Sequence, residues 1–140
     1  MDGWHEFKVR VYYEDTDAQG VVYFANYLKF MERGRTEWLR ELGVEQDWLL
    51  REHGLCFVLT GTGAKFHRPA RFNDQLLVRT SIKRMGRASI ALEQEIHRLS
   101  DAELLCSADC VAACLDAQKF RPRRIPPGLF DRQRAVIEKD

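Results

Sequence analysis

The stretch YYEDTDAQGVVYFANYLKF, residues 12–30, carries Glu14, Asp15 and Asp17 just ahead of Gly20 and an amphipathic run. Acids crowded at such a point serve one of three ends: a solvated turn, a metal site, or the carboxylate of a catalytic centre. An unperturbed aspartate titrates at about 3.9 and is ionised at neutral pH. It can therefore attack a carbonyl, or take a proton from water, without prior activation. Aspartates also accept backbone N–H groups in turns, which gives Asp15 an ordinary structural task.

Other chemistry is thinner. His5, His53, His67 and His97 are scattered and form no HExxH spacing. Neither a GxSxG elbow nor a Walker loop is present, which removes the serine-hydrolase and nucleotide-triphosphatase readings. Cys106, Cys110 and Cys114 recur evenly, but no CxxC pair accompanies them or Cys56. With Ala108, Ala112 and Ala113 among them, the thiols read as free packing groups. Two basic clusters remain. Lys83, Arg84 and Arg87 flank a Met85-Gly86 turn, where a solvated hairpin tip is the alternative to anion binding. Lys119, Arg121, Arg123 and Arg124 are interleaved with proline. That second cluster offers charge for phosphate, anionic lipid or RNA, and reads best as a solvated tail.

The whole of 1–140 reads as one domain, with an irregular C-terminal tail from about 119. A formal net charge of +1 argues against a general nucleic-acid binder. The opening MDGWHEFK lacks the basic-then-apolar pattern of a signal peptide. The longest uncharged apolar run, Cys110 to Leu115, is too short to span a bilayer. A cytoplasmic protein is expected.

The elements that must position these groups follow from periodicity. Phe7, Val9, Val11 and Tyr13 alternate with polar residues, as a half-exposed strand requires. Phe24, Tyr27, Leu28, Met31, Arg35, Trp38, Leu39 and Leu42 then mark one face of a long helix, which Gly43 stops. Gly34 lies on that face, where a missing side chain would allow close approach to a sheet. A short helix over Gln46–Glu52 and a strand over Leu55–Phe66, with Gly61 and Gly63 marking a bulge or bend, come next. Leu76 to Ile82 and Ala88 to Ile96 alternate as two hairpin strands. Leu104 to Leu115 is ambiguous: Ser100-Asp101-Ala102-Glu103 matches a capping box, whereas its place after a hairpin favours a strand. One helix against one large antiparallel sheet is an α+β layer arrangement.

The segment YYEDTDAQGVVYFANYLKFMERGRTEWL resembles the signature of the hotdog-fold 4-hydroxybenzoyl-CoA thioesterase family, especially its YbgC-type branch. FHRPARFNDQLLVRTSI and LDAQKFRPRRIPPGL resemble that branch too, so the likeness runs from Phe7 to Leu129. It implies a hotdog fold, a curved antiparallel sheet wrapped around one long helix, and makes Leu104 to Leu115 a strand. It also implies homodimers or homotetramers, with sheets paired edge to edge and active sites between protomers.

By that resemblance the protein is an acyl-CoA thioesterase. Asp17 is its nucleophile or general base, and the Phe24 backbone N–H polarises the thioester carbonyl. Tyr23, Asn26 and Tyr27 are candidate substrate-binding groups, with Asn26 equally readable as structural. Lys83, Arg84 and Arg87 would bind CoA, Arg87 having the best positional match. No cofactor is implied, CoA being part of the substrate and its thiolate already a good leaving group. One departure stands out: YbgC-type enzymes commonly carry histidine where this chain has Phe24. A hotdog dehydratase would need a histidine near the helix start, and none is there. The rival from another class is a noncatalytic acyl-carrier or protein-interaction module linked to envelope maintenance. The branch name also suggests association with an envelope system or an acyl carrier protein. CoA and carrier-protein substrates, and the acyl group itself, stay open at this point.

Overall fold

Residues 3–139 are described in a computed structural model of the chain. Alternation does form the first strand, β1 (His5–Arg10), with Phe7 and Val9 turned inward. It ends sooner than the alternation predicts. Tyr13 leaves the ladder and opens a one-turn 3-10 helix, Tyr13–Asp15. The Asp15 side chain accepts the Tyr12 N–H at 2.8 Å and pulls the chain out of the strand.

The long helix α1 (Phe24–Glu41) and the short α2 (Gln46–His53) stand where periodicity puts them. The buried face of α1 is rotated from the predicted one. Asn26, Tyr27, Phe30, Met31, Gly34, Trp38 and Leu39 are buried, whereas Phe24 and Leu28 are 64% and 42% exposed. Gly34 sets the contact: a Cβ there would lie 2.6 Å from Val78 Cγ1. Beside it, Gln94 Nε2 donates to the Met31 carbonyl at 3.0 Å and to Thr80 Oγ1 at 2.9 Å, tying helix to sheet through buried polar groups.

Four further strands follow: β2 (Leu55–Phe66), β3 (Gln75–Met85), β4 (Ser89–Arg98) and β5 (Leu104–Asp116). The sheet is antiparallel in the order β1-β3-β4-β5-β2, and β2 carries a bulge between Leu59 and Gly61. The ambiguous last segment is therefore a strand. The capping-box segment forms a turn instead, with Asp101 accepting from Glu103 N at 3.1 Å and Ala102 at φ 58. The even spacing of Cys106, Cys110 and Cys114 keeps them on one buried strand face.

The tail is only partly irregular. It runs back beside the sheet, Pro122 facing Leu115 in a bridge and Arg123 N donating to the Cys114 carbonyl at 2.9 Å. Phe130 is then buried against Trp38, the rings stacked at 5.7 Å. Beyond it Asp131–Lys139 form a helix, α3, where the proline-rich composition predicts none.

Candidate functional site

Between β1 and α1 the chain folds on itself as a clamp around Asp15. This buried carboxylate accepts Tyr12 N at 2.8 Å and Asn26 Nδ2 at 2.7 Å. Its backbone carbonyl accepts Tyr23 N at 3.0 Å. One residue thus holds the entrance of the loop, its exit and the first turn of α1, the turn-forming task expected of it.

Asp17 rides on that clamp. Thr16 faces Val22 in a short bridge, and the Asp17 N–H donates to the Val21 carbonyl at 2.9 Å. Gly20, at φ 77, closes the tight loop between them. Asp17 is exposed, and its Oδ1 accepts Gln19 N at 2.8 Å. Its Oδ2 has no partner among the described residues. The carboxylate is oriented by one oxygen and offers the other.

The start of α1 is open. Tyr23 precedes the helix with no side-chain cap, and Asn26 N donates to the Tyr23 carbonyl at 2.8 Å. The N–H of Phe24 has no acceptor among the described residues, so the helix presents a free donor at its positive end. Phe24 itself does not enter the core. Its ring lies on Phe66 of β2 at 4.8 Å and stays mostly exposed.

The three candidate substrate groups part company. Tyr23 is exposed at the mouth of the loop. Asn26 is buried and its amide is committed to Asp15. Tyr27 is buried, and its hydroxyl accepts Ala70 N at 3.0 Å. Desolvation raises the Tyr27 pKa above the ordinary phenol value, so it is neutral. Asn26 Nδ2 and the Tyr27 hydroxyl are thus both engaged in holding the frame.

Sequence reasoning gave no role to the segment 66–72, which forms the other wall. Val22 N donates to the Ala70 carbonyl at 2.8 Å, Val21 bridges Arg71, and Phe72 stacks on Tyr13 at 4.0 Å. Its quoted motif, FHRPARF, was the available signal. Further along α1, a cavity of about 250 Å³ opens between the helix and β2, β4 and β5. Trp38, Phe57, Leu59, Leu92 and Ala112 line it together with Arg35. Phe24 and Leu28 lie on the helical stripe that leads to it.

The cations stand elsewhere. Lys83 reaches Asp109 at 3.3 Å, while Arg84 and Arg87 are exposed with no acidic partner among the described residues. Asp17 neighbours the Gln75 end of β3, since Val11 N donates to the Asp74 carbonyl at 2.9 Å. The hairpin is at the Met85 end, about 33 Å away along an 11-residue strand. A single chain therefore does not bring Asp17 together with Lys83, Arg84 and Arg87.

The fold and this loop decide the kinship. Residues 11–133 match the model of the thioesterase-like superfamily. The chain belongs to that superfamily. Within it the chain falls with the YbgC-type thioester hydrolases. It is 42% identical over 126 residues to the acyl-CoA thioesterase YbgC of Haemophilus influenzae, covering 90% of this chain and 91% of the relative. Identity to the acyl-CoA thioester hydrolase YbgC of Escherichia coli is 40% over 121 residues, with 86% and 89% covered. Among solved structures, a probable thioesterase from Bartonella henselae superposes with a TM-score of 0.81 at 38% identity, covering 88% of this chain and 99% of that one. The 1,4-dihydroxy-2-naphthoyl-CoA thioesterase of Synechocystis superposes with a TM-score of 0.82 at 25% identity, with 89% and 90% covered. The hotdog architecture read from the sequence is the one observed.

Proposed function

We propose that this superfamily member hydrolyses acyl-CoA thioesters at sites shared between two copies of the chain. The observation that carries the reading is the Asp15 clamp. It ties the loop that carries Asp17, whose Oδ2 has no partner among the described residues, to the start of α1, where the Phe24 N–H has no acceptor among them. A thioester carbonyl accepting that N–H would gain stabilisation as negative charge develops on its oxygen. Asp17 then attacks the carbonyl carbon, giving a mixed anhydride, or takes the proton of an attacking water. The thiolate of CoA leaves in either route, so no metal or organic cofactor is required. Single turnover in ¹⁸O-water can identify the anhydride route, because an anhydride opened by water at the Asp17 carbonyl leaves label on the protein, which direct attack of water on the thioester never does.

The edges of the sheet support such sharing. β2 is an outer strand whose rim carries exposed Leu59 and Phe66, continuous with Phe24 and Leu28 of α1. Its Leu55 end pairs with Asp116, near the tail and the cationic hairpin, while its Phe66 end meets Phe24. Antiparallel pairing of two β2 strands about a two-fold axis would set the hairpin end of one copy beside the helix start of the other. The partner's Arg84 and Arg87 would then hold the CoA phosphates while Asp17 works on the thioester.

Two variants test the chemistry. Asp17→Asn should lower kcat by about 10²–10⁴ if Asp17 is the base or nucleophile. Phe24→Pro removes the backbone donor at the first helical position, where proline fits, and Tyr23 at ψ 139 accommodates a following proline. It should cost about 10²–10³ in rate, while Phe24→Ala keeps the N–H and most of the activity. Loss of thioester absorbance reports both. Equal rates for the proline and alanine variants would end the carbonyl-polarising role. Negligible wild-type turnover, with partner binding that survives Asp17→Asn, would favour the noncatalytic module.

A further inference from the structure

Two cavities lie on either side of one indole. The cavity of about 250 Å³ described above is walled by Trp38, Leu39, Phe57, Leu59, Leu92 and Ala112. A second, of about 300 Å³, opens at the C-terminal end of α1 and is lined by Trp4, His5, Leu42, Ile82 and Arg132. Trp38 belongs to both linings. The last turns of α1 explain the arrangement: Leu39 lines the first cavity, Leu42 the second, and the buried Trp38 stands between them.

The tail pins that indole. Phe130 is buried, with its ring stacked on Trp38 at 5.7 Å and set edge-on to Phe57 at 6.0 Å. It therefore backs two walls of the first cavity at once. Its backbone sits at φ 64, a left-handed conformation costly for a bulky side chain. Such a conformation persists only where the surrounding packing over-determines it, and here the two ring contacts supply that packing. Arg134 N donates to the Phe130 carbonyl at 2.8 Å, fastening α3 to the same point.

We infer that Trp38, braced by Phe130, is the end wall of the acyl site and sets the longest acyl group the chain accepts. This rests on the acyl-CoA reading above and adds a substrate class to it. Under the antiparallel pairing of β2 proposed there, Phe57 and Leu59 lie in the half of the strand that faces the partner's helix start. The cavity thus receives the acyl group of a thioester held at that start. A cavity of about 150 Å³ takes up benzene, so one of about 250 Å³ holds an acyl group of about ten carbons. Short and medium chains, or a single aryl ring, fit; longer chains meet the indole. Beyond it the second cavity, with Leu42 and Ile82 in its lining, is space that a longer chain would fill were the indole absent.

The test is kcat/KM across saturated acyl-CoAs from acetyl to palmitoyl. Wild type should rise with length as far as decanoyl and fall by about tenfold or more by palmitoyl, the scale of overpacking a filled site. Palmitoyl-CoA turned over as well as decanoyl-CoA overturns the inference. Trp38→Ala opens the wall and should raise the palmitoyl-to-octanoyl ratio by about tenfold or more, since each methylene buried in the second cavity is worth about fourfold. Adding Ile82→Trp refills that cavity and should return the ratio to the wild-type value, which a mere loosening of the structure would not do. Ala112→Leu fills the first cavity with Trp38 in place and should shorten the optimum by about three carbons, a readout that stands even where Trp38→Ala does not fold. An optimum unmoved by Ala112→Leu, or a ratio unmoved in folded Trp38→Ala, overturns the inference. Calorimetry of the same acyl-CoAs on the Asp17→Asn chain separates the two proposals. A length limit in affinity that Ala112→Leu shortens supports the wall even where no thioester turns over, and that lack of turnover would sink only the hydrolase reading. Affinity independent of acyl length overturns the inference.

Discussion

Exchanging the two side chains of the buried clamp makes a demanding test of how the site is held. Asp15 accepts two donors, Tyr12 N–H at 2.8 Å and Asn26 Nδ2 at 2.7 Å, one on each oxygen. In Asp15→Asn one oxygen becomes an NH₂ group, so one buried donor faces another donor. An unsatisfied buried donor costs about 1–3 kcal/mol, and about 2 kcal/mol is expected here. Asn26→Asp places a second carboxylate against Asp15 at hydrogen-bond distance, with a similar cost of about 2 kcal/mol once one of the pair takes up a proton. The double exchange restores the pattern. The new amide's oxygen accepts Tyr12 N–H, and its NH₂ donates to the carboxylate now on the helix, where the first turn favours negative charge. Independent effects would sum to about 4 kcal/mol, whereas the exchange should recover about 2–3 kcal/mol of that as coupling. Urea unfolding at one fixed protomer concentration measures all four species, since the proposed assembly would make stability concentration-dependent. Additivity within about 0.5 kcal/mol would refute the clamp.

The other expectations are briefer. Gly34→Ala gains about 1 kcal/mol of helix propensity but drives a Cβ to 2.6 Å from the fully buried Val78, so net destabilisation is expected in thermal or urea unfolding. Tyr27→Phe removes the acceptor of the buried Ala70 N–H and should cost about 1–3 kcal/mol by urea unfolding. Burial pushes the Cys106 thiol from 9.0 up to about 11. The folded chain therefore keeps this proton after the unfolded chain loses it. The contribution is whole below 9.0 and disappears as pH rises towards about 11. Unfolding midpoints across that window should fall less steeply in Cys106→Ala than in wild type.

Strong local signals were the readable ones. Alternation from Leu76 to Ile82 and from Ala88 to Ile96 marked β3 and β4, and apolar spacing ended by Gly43 marked α1 to within a residue or two. Gly34 was legible because nothing else fits between a helix and Val78. Periodicity misplaced Phe24 and Leu28 on the buried face, because it counts apolar residues without knowing which surface each one meets. Phe30, fully buried, was missed for the same reason. The segment before β5 matches a capping box in sequence, and only the ladders of β5 to β4 and β2 overrule that local preference. At the site, Asp15 was assigned correctly from turn chemistry. The commitments of Asn26 and Tyr27 depend on Asp15 and Ala70, and the latter lies 43 residues away in sequence. The stacking of Phe130 on Trp38 had no sequence signal at all, since it arises where the tail returns past β5.

The placement of Asp17 and the cationic hairpin at opposite ends of one sheet has a genetic consequence. Under the proposed pairing of two copies, a lesion at Asp17 and a lesion at Arg84 and Arg87 would strike different halves of a shared centre. Two alleles, each crippled alone, would complement one another when expressed together. In a mixed pair, one of the two sites draws its carboxylate from one parent and its cations from the other, and that site is intact. Placing both lesions on the same copy leaves no such remedy when it pairs with itself.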